Sequence, residues 1–245
     1  MVYMCYYAKI AYIVHYFHFF GSKLRILFHI LKKTLYLCEN SIEMKLILLT
    51  PPTFFVEEHI IVNTLFEEGL DILHIRKPNS EPIFCERLLK LIDKKWHKRI
   101  VTHDHFYLKQ EFGLMGIHLN QRNPVAPKNY KGHLSRTCHS LEEVAESKKK
   151  YNYLFLSPVF DSISKESHQS PFTPTELEEA NAKGVIDKKV IAVGGITANN
   201  IGLAQKLGFG GAAVLGDIWT RFNYHSSSSF DELISHFRIL RSLSE

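Results

Sequence analysis

Closely spaced cysteine pairs are missing from this chain of 245 residues. Cys5, Cys38, Cys85 and Cys138 stand far apart, which excludes a zinc-finger pattern or a disulfide scaffold and suits a reducing, cytoplasmic setting. Long uncharged apolar runs are missing too. The stretch MCYYAKIAYIVHYFHFFGSKLRILFHILKKTLYLC (4–38) is broken by His, Lys and Arg before it reaches the ~18 residues that cross a bilayer. It also lacks the leading basic residues and small-residue cleavage site of a secretory signal. Charge of one sign is scarce: the net charge is +5, and residues 1–43 hold Lys9, Lys23, Arg25, Lys32 and Lys33 against Glu39 and Glu43. The small remaining excess predicts no nucleic-acid partner. What is present, 45% apolar and 22% charged residues, is ordinary for a globular protein.

Residues 1–43 read as an N-terminal extension: a translation start placed too early, a membrane-surface anchor, or an appended helix. The first is favoured, because Met44 opens a typical first strand and residues 44–245 call for no membrane.

From Met44 onward, short apolar runs alternate with amphipathic stretches. The runs are KLILLT (45–50), DILHIRK (71–77), RIVTHD (99–104), GIHLN (116–120), HLSRTCH (133–139), YLFLSPVF (153–160), VIAVGG (190–195) and AAVLGD (212–217). The links after the third, fourth and eighth runs look short or irregular. Eight units of about 25 residues predict an α/β fold, a single-domain (β/α)8 TIM barrel over 44–245; a doubly wound open sheet is the rival. The polar residues Thr50, Arg76, His103, Asp104, Asn120, Thr137, His139, Ser157 and Asp217 fall at strand C-termini, which in a barrel share the rim where active sites form.

Gly194 and Gly195 close the seventh run and Gly216 closes the eighth. Glycine there bares backbone amides to an anion, and the loops after strands seven and eight are a frequent phosphate site. A plain tight turn is the alternative. Asp104 reads either as a metal ligand or as a cap for a helix starting near Phe106. His103-Asp104-His105 resembles a metal-hydrolase cluster with nothing to complete it. His118 reads as a core or rim histidine, and Cys138 and His139, as neighbours on a strand, face opposite sides.

In their order, HIRKP, HDHFYL, GIHLNQRNP, TCHSLEEV, SPVFDSISK, AVGGIT and AAVLGDI resemble the thiamine phosphate synthase/TenI family over Met44–Glu245. The resemblance implies a transferase that joins hydroxymethylpyrimidine diphosphate to thiazole phosphate with Mg²⁺, giving thiamine phosphate and diphosphate. It implies catalytic roles for Arg76, Lys165, Thr137 and His139. Substrate contacts fall to His74, Lys77, His103, Ser162, Ser164, Gly194, Gly195 and Gly216, and Mg²⁺ binding to Asp104 and Asn123. The partners so implied are small phosphorylated pyrimidines and thiazoles, with a homo-oligomer left open. Departures from the family pattern are present. Asn123 stands where a second magnesium aspartate is usual, Pro78 where a lysine is usual with Lys77 beside it, and HDH replaces Asn-Asp-Arg. HIR suits the tautomerase branch, whereas Pro158 stands in place of that branch's acid–base histidine. A thiazole tautomerase and a non-catalytic thiazole or thiamine phosphate binder are the alternatives.

Overall fold

Three to six residues of each apolar run become a strand. A computed structural model describes residues 44–161, 170–223, 226 and 229–245. The strands are β1 (Lys45–Leu49), β2 (Ile72–Ile75), β3 (Ile100–Thr102), β4 (Gly116–Leu119), β5 (His133–Cys138), β6 (Tyr153–Leu156), β7 (Val190–Val193) and β8 (Gly211–Val214). Each pairs in parallel with the next, and β1 pairs with β8 through Leu48 and Val214, so the barrel closes. The expected (β/α)8 architecture is therefore present.

Helices α1 (Glu58–Glu67), α2 (Pro82–Leu91), α3 (Leu108–Glu111), α4 (Leu141–Ser147), α5 (Pro174–Ala182), α6 (Ile201–Lys206), α7 (Gly216–Trp219) and α8 (Ser229–Ser244) lie between or after the strands. The short link after β3 is the four-residue α3, and no helix follows β4. The link after β8 differs from expectation: behind short α7 comes the 16-residue α8. Its buried Leu233, Phe237 and Leu240 recur at helical spacing and cover the barrel wall. The Met44 amide donates to Ser244 O at 3.0 Å, and Asp71 Oδ2 accepts from both the Leu46 amide and Arg241 Nη1 at 2.8 Å. These bonds fasten the last helix to the first strand. Among the described residues no helix is long and apolar enough to cross a membrane.

Alternation along each strand divides two apolar clusters. Leu46, Leu48, Leu73, Ile75, Ala192 and Val214 pack outward against the helices. Ile47, Leu49, Ile72, Val101, Phe155 and Ile191 fill the barrel.

The two glycines after β7 have a structural task that the phosphate and turn readings both omit. Gly194 and Gly195 have φ of +93° and +64°, a region that L side chains rarely enter. A Cβ on Gly194 would lie 2.8 Å from Pro158 Cα, and one on Gly195 2.6 Å from Phe160 O and closer still to Asp161 O. The segment leaving β6 crosses directly over them, donating Val159 N to Val193 O (2.9 Å) and Phe160 N to Gly194 O (3.1 Å).

Lys77 enters the wall between β2 and α1. Its ammonium meets both Glu58 oxygens at 2.6 and 2.8 Å and Thr53 O at 2.8 Å, which uses all three of its hydrogens. Both side chains are fully buried. Burial pushes the Glu58 carboxyl up to about 7 against the pull of Lys77, and burial likewise lowers Lys77 against the pull of Glu58. Removing one partner strands the other, so Lys77→Met should destabilise the fold by ~3–5 kcal/mol, with most of that regained in Lys77→Met/Glu58→Leu. Denaturant midpoints of the wild type and the two variants check this; a double variant no more stable than Lys77→Met contradicts it.

Candidate active site

Closure brings the C-terminal ends of all eight strands to one rim, and the charged side chains gather after β2, β3 and β4. Thr50, one residue past β1, accepts the Arg76 amide at 2.9 Å and donates to Arg76 O at 3.3 Å. That clamp fixes the backbone from which the half-buried Arg76 projects. Burial and the nearby Arg122 lower Arg76 from its ordinary value, and Asp104 partly offsets them.

Asp104 follows β3. Its Oδ1 accepts from Asn123 Nδ2 at 2.8 Å and lies 3.5 Å from Arg122 Nη2. Its Oδ2 is buried with no hydrogen-bond partner. The helix-cap reading fails, because α3 starts after Tyr107 and has no side-chain cap. Asn120 shapes the loop by accepting the Arg122 and Asn123 amides at 2.9 and 3.2 Å, and Asn123 Nδ2 also reaches His103 O at 3.0 Å. Two guanidinium groups and one half-satisfied carboxylate thus face one place, a charge pattern suited to an anion accompanied by a cation.

Around the rim, Thr137 near the end of β5 has its hydroxyl 2.7 Å from His118 Nε2, and the exposed His139 holds Ser157 O through Nδ1 at 2.8 Å. Ser140 caps α4 by accepting the Glu143 amide, while Glu143 accepts the His139 amide at 2.8 Å. Gly194, Gly195 and Gly216 stand beyond β7 and β8 on the same rim as Arg76. Asn200 accepts the Thr197 amide at 2.8 Å and donates to Gly195 O at 2.7 Å, shaping the turn into α6. Trp219 Nε1 ties α7 to Leu49 O at 2.7 Å. Ser162, Ser164 and Lys165 lie outside the described residues.

Several expected contacts are placed differently. Lys77 has no hydrogen left for a substrate, because alternation past β2 sends it outward to Glu58 while Arg76 stays on the rim. His74 and His103 are inside the barrel, bonded to each other at 2.8 Å. Asn123 gives an amide hydrogen to Asp104 and so positions that carboxylate. His105 holds Ser80 O at 2.9 Å, and Asp217 turns to His236 of α8 at 2.7 Å. Cys138 is buried on the outer side, its thiol pushed up to about 11, away from His139. Sequence reading placed His118 in the core or on the rim, and it is fully buried; the part played by Tyr153 and Ser135 inside the barrel was missed. The signal available was strand alternation, which points these three inward beside Phe155.

The sequence pattern of the thiamine monophosphate synthase family matches residues 46–218. The chain belongs to this family. A thiamine phosphate pyrophosphorylase from Bacteroides thetaiotaomicron is 52% identical, with a TM-score of 0.75 over 82% of this chain and 97% of its own. A thiamine-phosphate synthase of Dictyoglomus turgidum is 27% identical over 177 residues, covering 69% of this chain and 78% of the relative. A thiamine phosphate pyrophosphorylase from Pyrococcus furiosus, at 18% identity and a TM-score of 0.64 over 82% of this chain and 96% of its own, shares the fold.

Within this family member, burial first and charge repulsion second hold His74 and His103 well below the ordinary histidine value, and bring His118 down to about 3. The folded state keeps all three neutral, whereas the unfolded chain takes up protons below pH ~6.5. Stability is therefore full above pH ~6.5 and is lost as pH falls, at about 1.4 kcal/mol per pH unit for each histidine. Denaturant midpoints should drop steeply from pH 6.5 to 4.5, and less steeply in His118→Gln. A flat profile contradicts neutral buried rings.

Proposed function

We propose that this chain is a thiamine phosphate synthase: it joins hydroxymethylpyrimidine diphosphate to thiazole phosphate and releases diphosphate. The observation that carries this reading is the buried, unpartnered Asp104 Oδ2 set among Arg76 and Arg122 at the barrel rim. The names borne by the relatives support it.

The chemistry asks little acid–base work of the protein. As the bond from the pyrimidine methylene carbon to diphosphate breaks, negative charge grows on the leaving oxygens, and the thiazole nitrogen takes the carbon. Fixed positive charge and correct placement lower that barrier. Arg76 presents a planar fork of donors to phosphate oxygens, and Arg122 adds a second cation. Asp104 Oδ2 is the oxygen that would hold Mg²⁺, a hard cation that takes few protein carboxylates and spreads phosphate charge when bound. Asn123 keeps that carboxylate turned by holding its other oxygen. The loops at Gly195 and Gly216 are assigned to the thiazole phosphate, with Ser162, Ser164 and Lys165 as further contacts. Thr137 and His139 face the reacting groups from β5. The tautomerase alternative is weaker, since the residue at position 158 is a proline lodged against Gly194 and can move no proton.

Incubating the full chain with both phosphorylated precursors and Mg²⁺ should yield thiamine phosphate and diphosphate in equal amounts. Arg76→Ala should lower kcat by roughly tenfold to thousandfold, and Asp104→Asn should shift the Mg²⁺ requirement upward. Product formation that is indifferent to both substitutions removes this mechanism.

A further inference from the structure

Asp104 Oδ2 is not alone on the rim in lacking a partner. Asn120 Nδ2 is also buried and bonds to nothing among the described residues. Asn120 follows β4 directly. Two residues earlier, His118 packs inside the barrel against His74 and Phe155, so strand alternation sets Asn120 on the same inner side. The register that pairs Leu119 with Arg136 brings it level with Thr137.

The two ends of this side chain differ in freedom. Its Oδ1 accepts the Arg122 amide at 2.9 Å and the Asn123 amide at 3.2 Å. Only the oxygen accepts, so turning the carboxamide end for end would set an NH2 group against two N–H donors. Main-chain bonds between Asn120 and Asn123 close the same turn in both directions, at 3.1 and 3.2 Å. Nδ2 is therefore aimed away from the turn and cannot swing back to satisfy itself. A buried donor without an acceptor is a standing cost, which a ligand oxygen would remove.

The surroundings specify the acceptor that fits. Asn123 donates to Asp104 Oδ1 at 2.8 Å, and Arg122 Nη2 lies 3.5 Å from the same oxygen. Arg122 and Asp104 both act on the Arg76 guanidinium with their charge. Two cations against one carboxylate leave this part of the rim positive, and a further donor there suits an anionic oxygen. We propose that Asn120 is a diphosphate-binding residue whose Nδ2 donates to a terminal oxygen of the group that Arg76 and Arg122 receive. This rests on the synthase reading of the site. One side chain thus builds the turn with its oxygen and meets the leaving group with its nitrogen. A donor already in place when charge grows on the leaving oxygens needs no reorganisation.

Asn120→Ser separates the two roles. A serine hydroxyl still accepts nearby backbone amides, as in an ST turn, but is too short to replace Nδ2. Titration calorimetry of the full chain with inorganic diphosphate and Mg²⁺ should show binding weakened about ten- to hundredfold by Asn120→Ser. Binding of thiazole phosphate, assigned to the loops after β7 and β8, should be unchanged. The diphosphate loss should persist in Arg122→Ala, where an effect relayed through Arg122 has nothing left to act on. Diphosphate binding indifferent to Asn120→Ser overturns the proposal, and so does equal weakening of thiazole phosphate. A loss that vanishes in Arg122→Ala, or that is matched by a shift in the Mg²⁺ requirement, makes Asn120 a builder of the turn alone and overturns it too. A wild type that binds no diphosphate does the same. Thiamine phosphate missing from the synthase assay, with the calorimetric losses intact, removes the synthase reading and leaves Asn120 as a diphosphate ligand.

Discussion

Closure of eight parallel strands governs everything else in this molecule. The β1–β8 pairing leaves no free sheet edge, and parallel order sends every strand C-terminus to the same rim. Arg76, Asp104, Thr137 and Gly195 are far apart in sequence and share that rim because the ring has closed. Closure also creates an interior that must be filled. Phe155 and Ile191 fill part of it, and hydrogen-bonded polar side chains fill part of the remainder. His74, His103, Tyr153, Ser135 and His118 are tolerated there because each finds a hydrogen-bond partner.

Two neighbouring cations show how finely the backbone sorts charge. Arg76 and Lys77 are adjacent, yet one stays on the rim and the other is sealed against Glu58 in the barrel wall. Strand alternation separates them, and the Thr50 clamp holds the boundary. The rim therefore carries Arg76 and Arg122 with Asp104 as their counterweight, one of whose oxygens stays open. That imbalance leaves the rim with an excess of positive charge, while the Lys77–Glu58 pair serves the scaffold.

Much of the architecture was legible in linear form. All eight apolar runs became strands, since short runs of apolar residues bounded by polar ones have few other ways to be buried. Thr173 and Glu176 form a reciprocal capping box at the start of α5, a local signal that sequence reading passed over. Reading was poorer where one residue type serves two ends. Gly194 and Gly195 suggested an anion cradle, and their demonstrable duty is to let the segment after β6 pass overhead. Asn123 looked like a weakened ligand, and its amide also buttresses Asp104. His74 and His103 sit near motif residues and were assigned to substrate, but side-chain direction places them inward.

The sequence by itself determined the eight-unit repeat, the family, and the set of residues that can reach the rim, because these follow from local periodicity and ordered motifs. Tertiary structure alone decided which of those residues have hydrogen-bonding capacity to spare. Lys77 is fully engaged and Asp104 is not, a difference set by partners 19 residues away in one case and by the empty side of a carboxylate in the other. Spare capacity is a property of the surroundings, and surroundings come into being only when distant strands are brought side by side.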